Sequence, residues 1–317
     1  GAGRLLHGPH GPTAQDQRGG KMIEGLVWVL TNLANGFVNI YIAATQPELW
    51  LNWSEDKVSL GRFIYYGGST EFFFAVLDVF LVIFVIGLVW RKFLWRVVIV
   101  LEAFANTTGR LFAWAGLLMV LQQVMIIFQQ RIFRVSELTF SPFGTGFTRD
   151  LSWWSEELKL YNAMIVALCC AYTFVQGGHV RVDLFYAGMR HRAKRMVDML
   201  GSLFFILPAQ TLIWLFGWYF LWRHMVTPKI SASDNLQLIE RKAGLMRWNI
   251  ETIGFSPNGF DAYFLFKILL VGFAGMMFIQ GWAFFYRSFL EFVEGEASAD
   301  KHIDKDSLGD ETPAPAH

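Results

Sequence analysis

The groups in this chain with the chemistry for a site are seven histidines, two ionisable side chains inside apolar runs, and one dense ionic turn. Haem ligation needs imidazoles on facing helices inside a bundle. His7, His10, His302 and His317 lie in the tails, and His179, His191 and His224 lie at the ends of apolar runs. None stands at the depth a b-type haem requires. Asp78 lies about two turns into one apolar run, and Lys267 about one turn from the end of another. Ionisable groups at such depth are costly and face protein, a partner or water. The long stem of Lys267 permits snorkelling to the interface. Asp78 reads as a structural ion pair or a subunit contact, with ion transport as the rival. His179, Arg181 and Asp183 crowd one turn. If the helix continues through them, His179 and Asp183 share a face and can pair, while Arg181 points toward headgroups or another subunit. Two readings stand: a helix end that fixes register and topology, or a contact with a partner protein.

Catalytic groupings are missing. Glu156 and Glu157 are adjacent and so do not face each other as an acid–base pair. Serines and histidines occur without a nucleophile motif, and the Gly144-x-Gly146 pair is a turn signal rather than a phosphate loop. Cys169 and Cys170 are neighbours, a spacing that suits neither a disulfide nor a metal. The expectation is a non-enzyme with no cofactor and no metal.

Composition sets the class. Of 317 residues, 54% are hydrophobic and only 17% charged, against about a quarter charged in soluble domains. Mean hydropathy is +0.36. The apolar surplus has to face something other than water, and membrane lipid is the simplest answer. A net charge of +1 gives no reason to expect a nucleic-acid partner.

Five apolar runs suffice to cross the roughly 30 Å hydrocarbon layer as helices: 72–90, 111–129, 160–178, 200–222 and 263–286. A sixth, 23–46, carries Asn32, Asn35 and Asn39 and reads either as a span packed against protein or as a helix in the interface. Residues 93–108 read as an interfacial helix joining two spans. Residues 151–159 place Trp153 and Trp154 beside Glu156 and Glu157, suited to the headgroup layer. Pro208 inside 200–222 removes one backbone hydrogen bond and should kink that helix. Gln280 and its counterparts on other spans can bond between helices.

Basic residues set the orientation. The short loop 91–110 holds Arg91, Lys92, Arg96 and Arg110 against Glu102, and 179–197 holds Arg181, Arg190, Arg192, Lys194 and Arg195 against Asp183. The positive-inside rule puts both in the cytoplasm. The longer loops 47–71, 130–159 and 223–262 then face outward, with both termini cytoplasmic.

From about 105 to 290 the chain resembles the small permease subunit of tripartite ATP-independent periplasmic (TRAP) transporters. The resemblance rests on the span at 110–134 with Arg131 at its exit, and on Trp153, Glu156, Glu157 and Leu158 before the next span. It rests also on HVRVD at 179–183 followed by MVDMLGSLFFILP at 196–208, and on Lys267, Gly272, Gln280 and Gly281 in the last span. The resemblance implies an all-α, four-helix membrane bundle in the bacterial inner membrane. It implies a non-catalytic scaffold that supports a large sodium-coupled permease and helps dock a periplasmic solute-binding protein. The chain departs from that pattern upstream.

The expected organisation is a flexible lead at 1–22, a membrane extension at 23–104, the four-helix unit at 105–290, and a disordered acidic tail at 291–317. The extension adds one or two transmembrane helices that offer a docking surface to a further membrane protein. The rival function is an accessory subunit of another membrane complex, respiratory or photosynthetic, that has recruited this bundle through 23–104. An independent channel or carrier is disfavoured by the few polar residues lining the spans.

Overall fold

In hydrocarbon every backbone N–H and C=O must be satisfied within the segment, so apolar runs of spanning length fold as helices. The computed structural model describes residues 14–140, 144, 146–177, 186, 188–250, 252, 258–299, 301–304 and 306, with side chains from Ile23 onward, Phe140 apart. In chain order the helices begin with α1 (Ala14–Thr45), α2 (Glu48–Leu51), α3 (Lys57–Gly67), α4 (Thr70–Val89) and α5 (Arg91–Ile127), which ends in a π-helical turn, Phe128–Phe133. A hairpin of β1 (Glu137–Phe140) and β2 (Phe147–Asp150) leads into α6 (Leu151–Val175). Next come α7 (His191–Gly201), a π-helical turn (Ser202–Ile206) and α8 (Leu207–Trp222). The short strands β3 (Val226–Thr227) and β4 (Arg247–Trp248) pair around α9 (Leu236–Ala243). The last helix is α10 (Phe264–Glu294), followed by a 3-10 turn, Glu296–Ser298.

Among the described residues, six stretches are long and apolar enough to cross a membrane: Ile23–Thr45, Thr70–Val89, Arg91–Phe133, Leu151–Val175, His191–Trp222 and Phe264–Glu294. The fold is an all-α polytopic membrane bundle, and among the described residues its sheets are two small antiparallel strand pairs. Three helix starts carry a side chain that satisfies an orphan N–H group. Asp56 accepts from Val58 N, Ser69 from Phe72 N, and Asn235 from Leu238 N.

Several boundaries differ from expectation, each for a local reason. Residues 93–108 and the span at 111–129 form one rod, α5, of 37 residues. At 1.5 Å per residue it is about 55 Å long, well beyond one hydrocarbon thickness. Nothing between 91 and 108 breaks it, and Leu94, Trp95, Val98, Glu102, Ala105 and Asn106 are buried at helical spacing along one face. The expected junction at 104/105 therefore falls inside a helix. Residues 191–222 are likewise continuous. Pro208 has no N–H to donate and its ring crowds the carbonyl one turn back; the π-helical turn immediately before α8 takes up the misfit. α1 starts at Ala14, inside the expected lead, and α10 runs to Glu294, inside the expected tail.

The described C-terminal segment and the starts of α5 and α7 lie at one end of the bundle, the tail end. The α3 helix, the β1–β2 hairpin and the segment after α8 lie at the other, the cap end. α4 docks on α10 through a ladder of rings. Phe80 stacks on Trp282 at 5.1 Å, Phe84 stacks on Tyr286 at 6.1 Å, and the Tyr286 hydroxyl donates to Phe80 O at 2.6 Å. α1 packs on α4 and leaves Leu26, Leu30, Phe37, Val38 and Tyr41 exposed.

Candidate functional site

The cap end joins the upstream extension to the rest of the bundle. α3 presents Leu60 and Ile64 at i, i+4, and these bury against Trp218, Leu221 and Trp222 of α8 and Ile239 and Ala243 of α9. Indole N–H groups complete the contact. Trp214 Nε1 donates to Gly67 O at 2.9 Å, and Trp218 Nε1 to Ile64 O at 2.8 Å. Arg62 pairs with Glu240 at 2.9 Å on the rim. Within the cap, Lys242 reaches Asp234 at 2.6 Å. Burial pushes the Asp234 carboxyl up, but the Lys242 ammonium and the Ser231 N–H outweigh it and hold the group below its ordinary range.

Beside the cap lies a polar corner built by β1–β2, the start of α6 and residues 258–261. Trp153 Nε1 donates to Asp261 Oδ1 at 3.1 Å, and Glu156 accepts from Phe260 N at 3.0 Å. Glu157 accepts from Gln122 of α5 at 3.1 Å, and the same amide donates to Trp154 O at 3.0 Å. The tryptophan–glutamate pattern thus ties α5 and α6 to the chain entering α10. A cleft of about 300 Å³ opens here, lined by Glu137, Thr148, Arg149, Asp150 and Asp261. Lys267 does not snorkel. It is 3% exposed, with its ammonium 4.9 Å from the Phe220 ring centroid and 5.3 Å from that of Tyr263. Ring faces attract a desolvated cation, which removes the reason to reach for water.

In the interior, Asp78 is 1% exposed and its Oδ2 has no hydrogen-bond partner among the described residues. The carboxyl lies where α1 crosses α4. A Cβ at Gly36 would stand 2.0 Å from Oδ2, so only glycine admits this approach. Gln280 is buried on α10, and its Oε1 likewise lacks a hydrogen-bond partner among the described residues. His179, Arg181 and Asp183 lie outside the described residues.

The most developed ionic arrangement is at the tail end, and sequence reading missed it. Arg287 of α10 forks onto Glu102 of α5, with Nε to Oε1 at 2.6 Å and Nη2 to Oε2 at 2.5 Å. Its guanidinium lies 5.4 Å from the Trp95 ring centroid. Glu291, one turn on, is 3.6 Å from Arg287 and 2.6 Å from Arg195 of α7. Arg195 continues to Asp198 at 3.1 Å, and Asp198 accepts from the Tyr186 hydroxyl at 2.7 Å. Signs alternate along the chain Glu102, Arg287, Glu291, Arg195, Asp198, linking three helices across a buried layer. In sequence Arg195 reads as one of several topology charges, and Glu102 as a loop acid. The available signal was Arg287 and Glu291 at i, i+4 in an otherwise apolar helix.

The chain then returns beneath the bundle. Lys301 O accepts from Arg287 Nη1 at 2.9 Å, and His302 meets the Trp95 ring at 5.7 Å. Among the described residues no group of three or more His, Cys, Asp or Glu side chains is placed to hold a metal ion. Chemically, these arrangements lock helices to one another.

Residues 138–238 match the family model described as tripartite ATP-independent periplasmic transporters, DctQ component. The matched stretch runs from β1 to the start of α9 and covers less than half of the chain, leaving α1 to α5 and α10 outside it. No curated protein and no solved structure matches the chain. The chain is an all-helical, multi-pass membrane protein that, over residues 138–238, is similar to the small permease component, DctQ, of tripartite ATP-independent periplasmic transporters.

Proposed function

We propose that this chain is the small permease subunit of a sodium-coupled TRAP importer, a non-catalytic scaffold in the bacterial inner membrane. The family match implies association with a large permease and a periplasmic solute-binding protein. The single observation that carries the scaffold reading is the ionic layer from Glu102 to Asp198, which commits the buried charges at the tail end to helix–helix contacts. Substrate and sodium sites then belong to the large subunit. The basic start of α7 supports a cytoplasmic tail end, with both termini inside and the cap facing the periplasm. The polar cleft beside Trp153 and Asp261 is the surface we assign to the binding protein. His179, Arg181, Asp183, Trp153, Glu156, Glu157, Lys267, Gln280 and Asp78 serve assembly and topology in this reading. Residues 105–290 supply the scaffold. The extension at 23–104 adds a docking surface, because α1 keeps an exposed apolar face.

Reconstitution tests the proposal. Proteoliposomes holding this chain alone should take up no solute, whereas adding the large subunit and binding protein should give sodium-dependent uptake. Uptake by the chain alone would reject the scaffold role. The rival reading, an accessory subunit of a respiratory or photosynthetic complex, rests on the same exposed face of α1. Co-migration with a cofactor-bearing complex instead of a permease would select it.

A further inference from the structure

Four polar side chains at the tail end converge on Asp304 and Asp306 of this chain. They come from two helices brought unusually close. A Cβ at Gly109 of α5 would lie 2.1 Å from Tyr172 Cβ of α6, so glycine is what lets Tyr172 lie alongside Arg110. The Cys169 thiol donates to Gly109 O at 3.3 Å across the same crossing. In the groove below, Arg110 reads two carboxylates. Its Nη1 reaches Asp304 Oδ2 at 2.8 Å, while Nη2 and Nε reach Asp306 Oδ1 at 2.5 and 3.1 Å. The Tyr172 hydroxyl donates to Asp306 Oδ2. Asp304 and Asp306 thus bring two carboxylates to a single guanidinium fork.

The other two side chains hold main chain. Gln176 Nε2 donates to Asp304 O at 2.9 Å, and its Oε1 accepts from Asp306 N at 3.0 Å. Asn106 Nδ2 also donates to Asp304 O, at 3.0 Å. One amide side chain that both gives to a carbonyl and takes from an N–H is reading a peptide. A lipid phosphate or a free anion could answer Arg110 and Tyr172, but it offers no N–H to Gln176.

We infer that the groove formed by Asn106, Arg110, Tyr172 and Gln176 is a receptor for an acidic peptide with the pattern Asp-x-Asp, and that its occupants are this chain's own Asp304 and Asp306. Docking there straps the end of α10 to the α5–α6 pair, beside the Glu102–Arg287 fork. The receptor stands whatever solute or partner the assembled transporter takes, because its contacts are within the chain.

Full-length protein in nanodiscs of neutral lipid provides the test, with endoproteinase Lys-C cutting after Lys301. Cleavage of a segment that opens and closes rapidly tracks its open population. Arg110→Glu, and separately Asp304→Asn with Asp306→Asn, should each speed that cut about tenfold, the equivalent of about 1.4 kcal/mol. Arg110→Glu combined with Asp304→Asn and Asp306→Arg should bring the rate back toward wild type, which mere damage to the fold would not do. Cleavage of Arg110→Glu at the wild-type rate, or no recovery in the charge-swapped protein, would overturn the receptor. So would wild-type cleavage that rises to the rate of the Asp→Asn variant once phosphatidylglycerol is included, since the groove would then prefer lipid phosphate.

Discussion

At the level of single residues, the position of buried charge governs how the helices are held. Glu102 and Arg287 are each only 7% exposed at the side chain and joined by two hydrogen bonds. Removing one partner of such a pair strands the other and costs about 3–5 kcal/mol, whereas replacing both with apolar groups can be neutral. Arg287→Met alone should therefore lower the melting temperature in detergent sharply, and Arg287→Met with Glu102→Leu should recover much of it. Equal losses in the single and double variants would show that the pair does not act as a unit. The strap responds to pH with a definite sign. The Tyr172 hydroxyl and the Arg110 guanidinium hold the Asp306 carboxyl below its ordinary range, and Arg110 does the same for Asp304. A carboxyl depressed in the folded state contributes stability that is fully present above its unfolded value, about 3.9, and lost as pH falls through the lower folded one. Hydrogen exchange of the amide of Asp306 should thus stay protected at pH 5 and lose protection only below about pH 4, after correction for intrinsic rates.

At the scale of elements, two of the cap contacts that hold the extension are of unequal worth. The Arg62–Glu240 pair is about a third exposed on both sides, and such pairs contribute about 0–1 kcal/mol. The buried Trp218 indole bonded to Ile64 O is different. Trp218→Phe leaves that carbonyl without its donor and should cost about 1–3 kcal/mol, while Arg62→Met should be nearly silent in the same denaturation. Gly109→Leu should force α5 from α6 and destabilise by at least about 1–3 kcal/mol, as overpacking does. The spans were legible in sequence because hydropathy is a local property; at Pro208, where sequence expects a kink, a π-helical turn immediately precedes α8. The continuity of α5 was not legible. Its residues 93–108 look interfacial until the partners of Leu94, Trp95 and Val98 are known, and those partners, Trp282, Tyr286 and Leu290, lie nearly two hundred residues away. Glu102, Arg287 and Arg195 failed for the same reason: each is an ordinary charged residue until its distant partner is in place. Trp153, Glu156 and Glu157 stood out as a pattern, but their bonds to Asp261, Phe260 and Gln122 emerged only from the fold.

At the scale of the whole molecule, the protein is a bundle with a cap of aromatic side chains at one end and an ionic layer under a strap at the other. That polarity fits a subunit whose two ends meet different surroundings. A cysteine introduced at Ala232, exposed in the cap, should react with an impermeant maleimide added to intact cells. One at Arg192, on exposed α7 surface, should react only after the membrane is opened. The reverse pattern would invert the topology. As a scaffold, this chain should hold a transporting partner through affinity purification from native membranes in mild detergent. A large polytopic permease should be recovered with it in near-equal amounts and stay bound through gel filtration. Recovery of this chain as a stable species without any such partner would contradict the scaffold role.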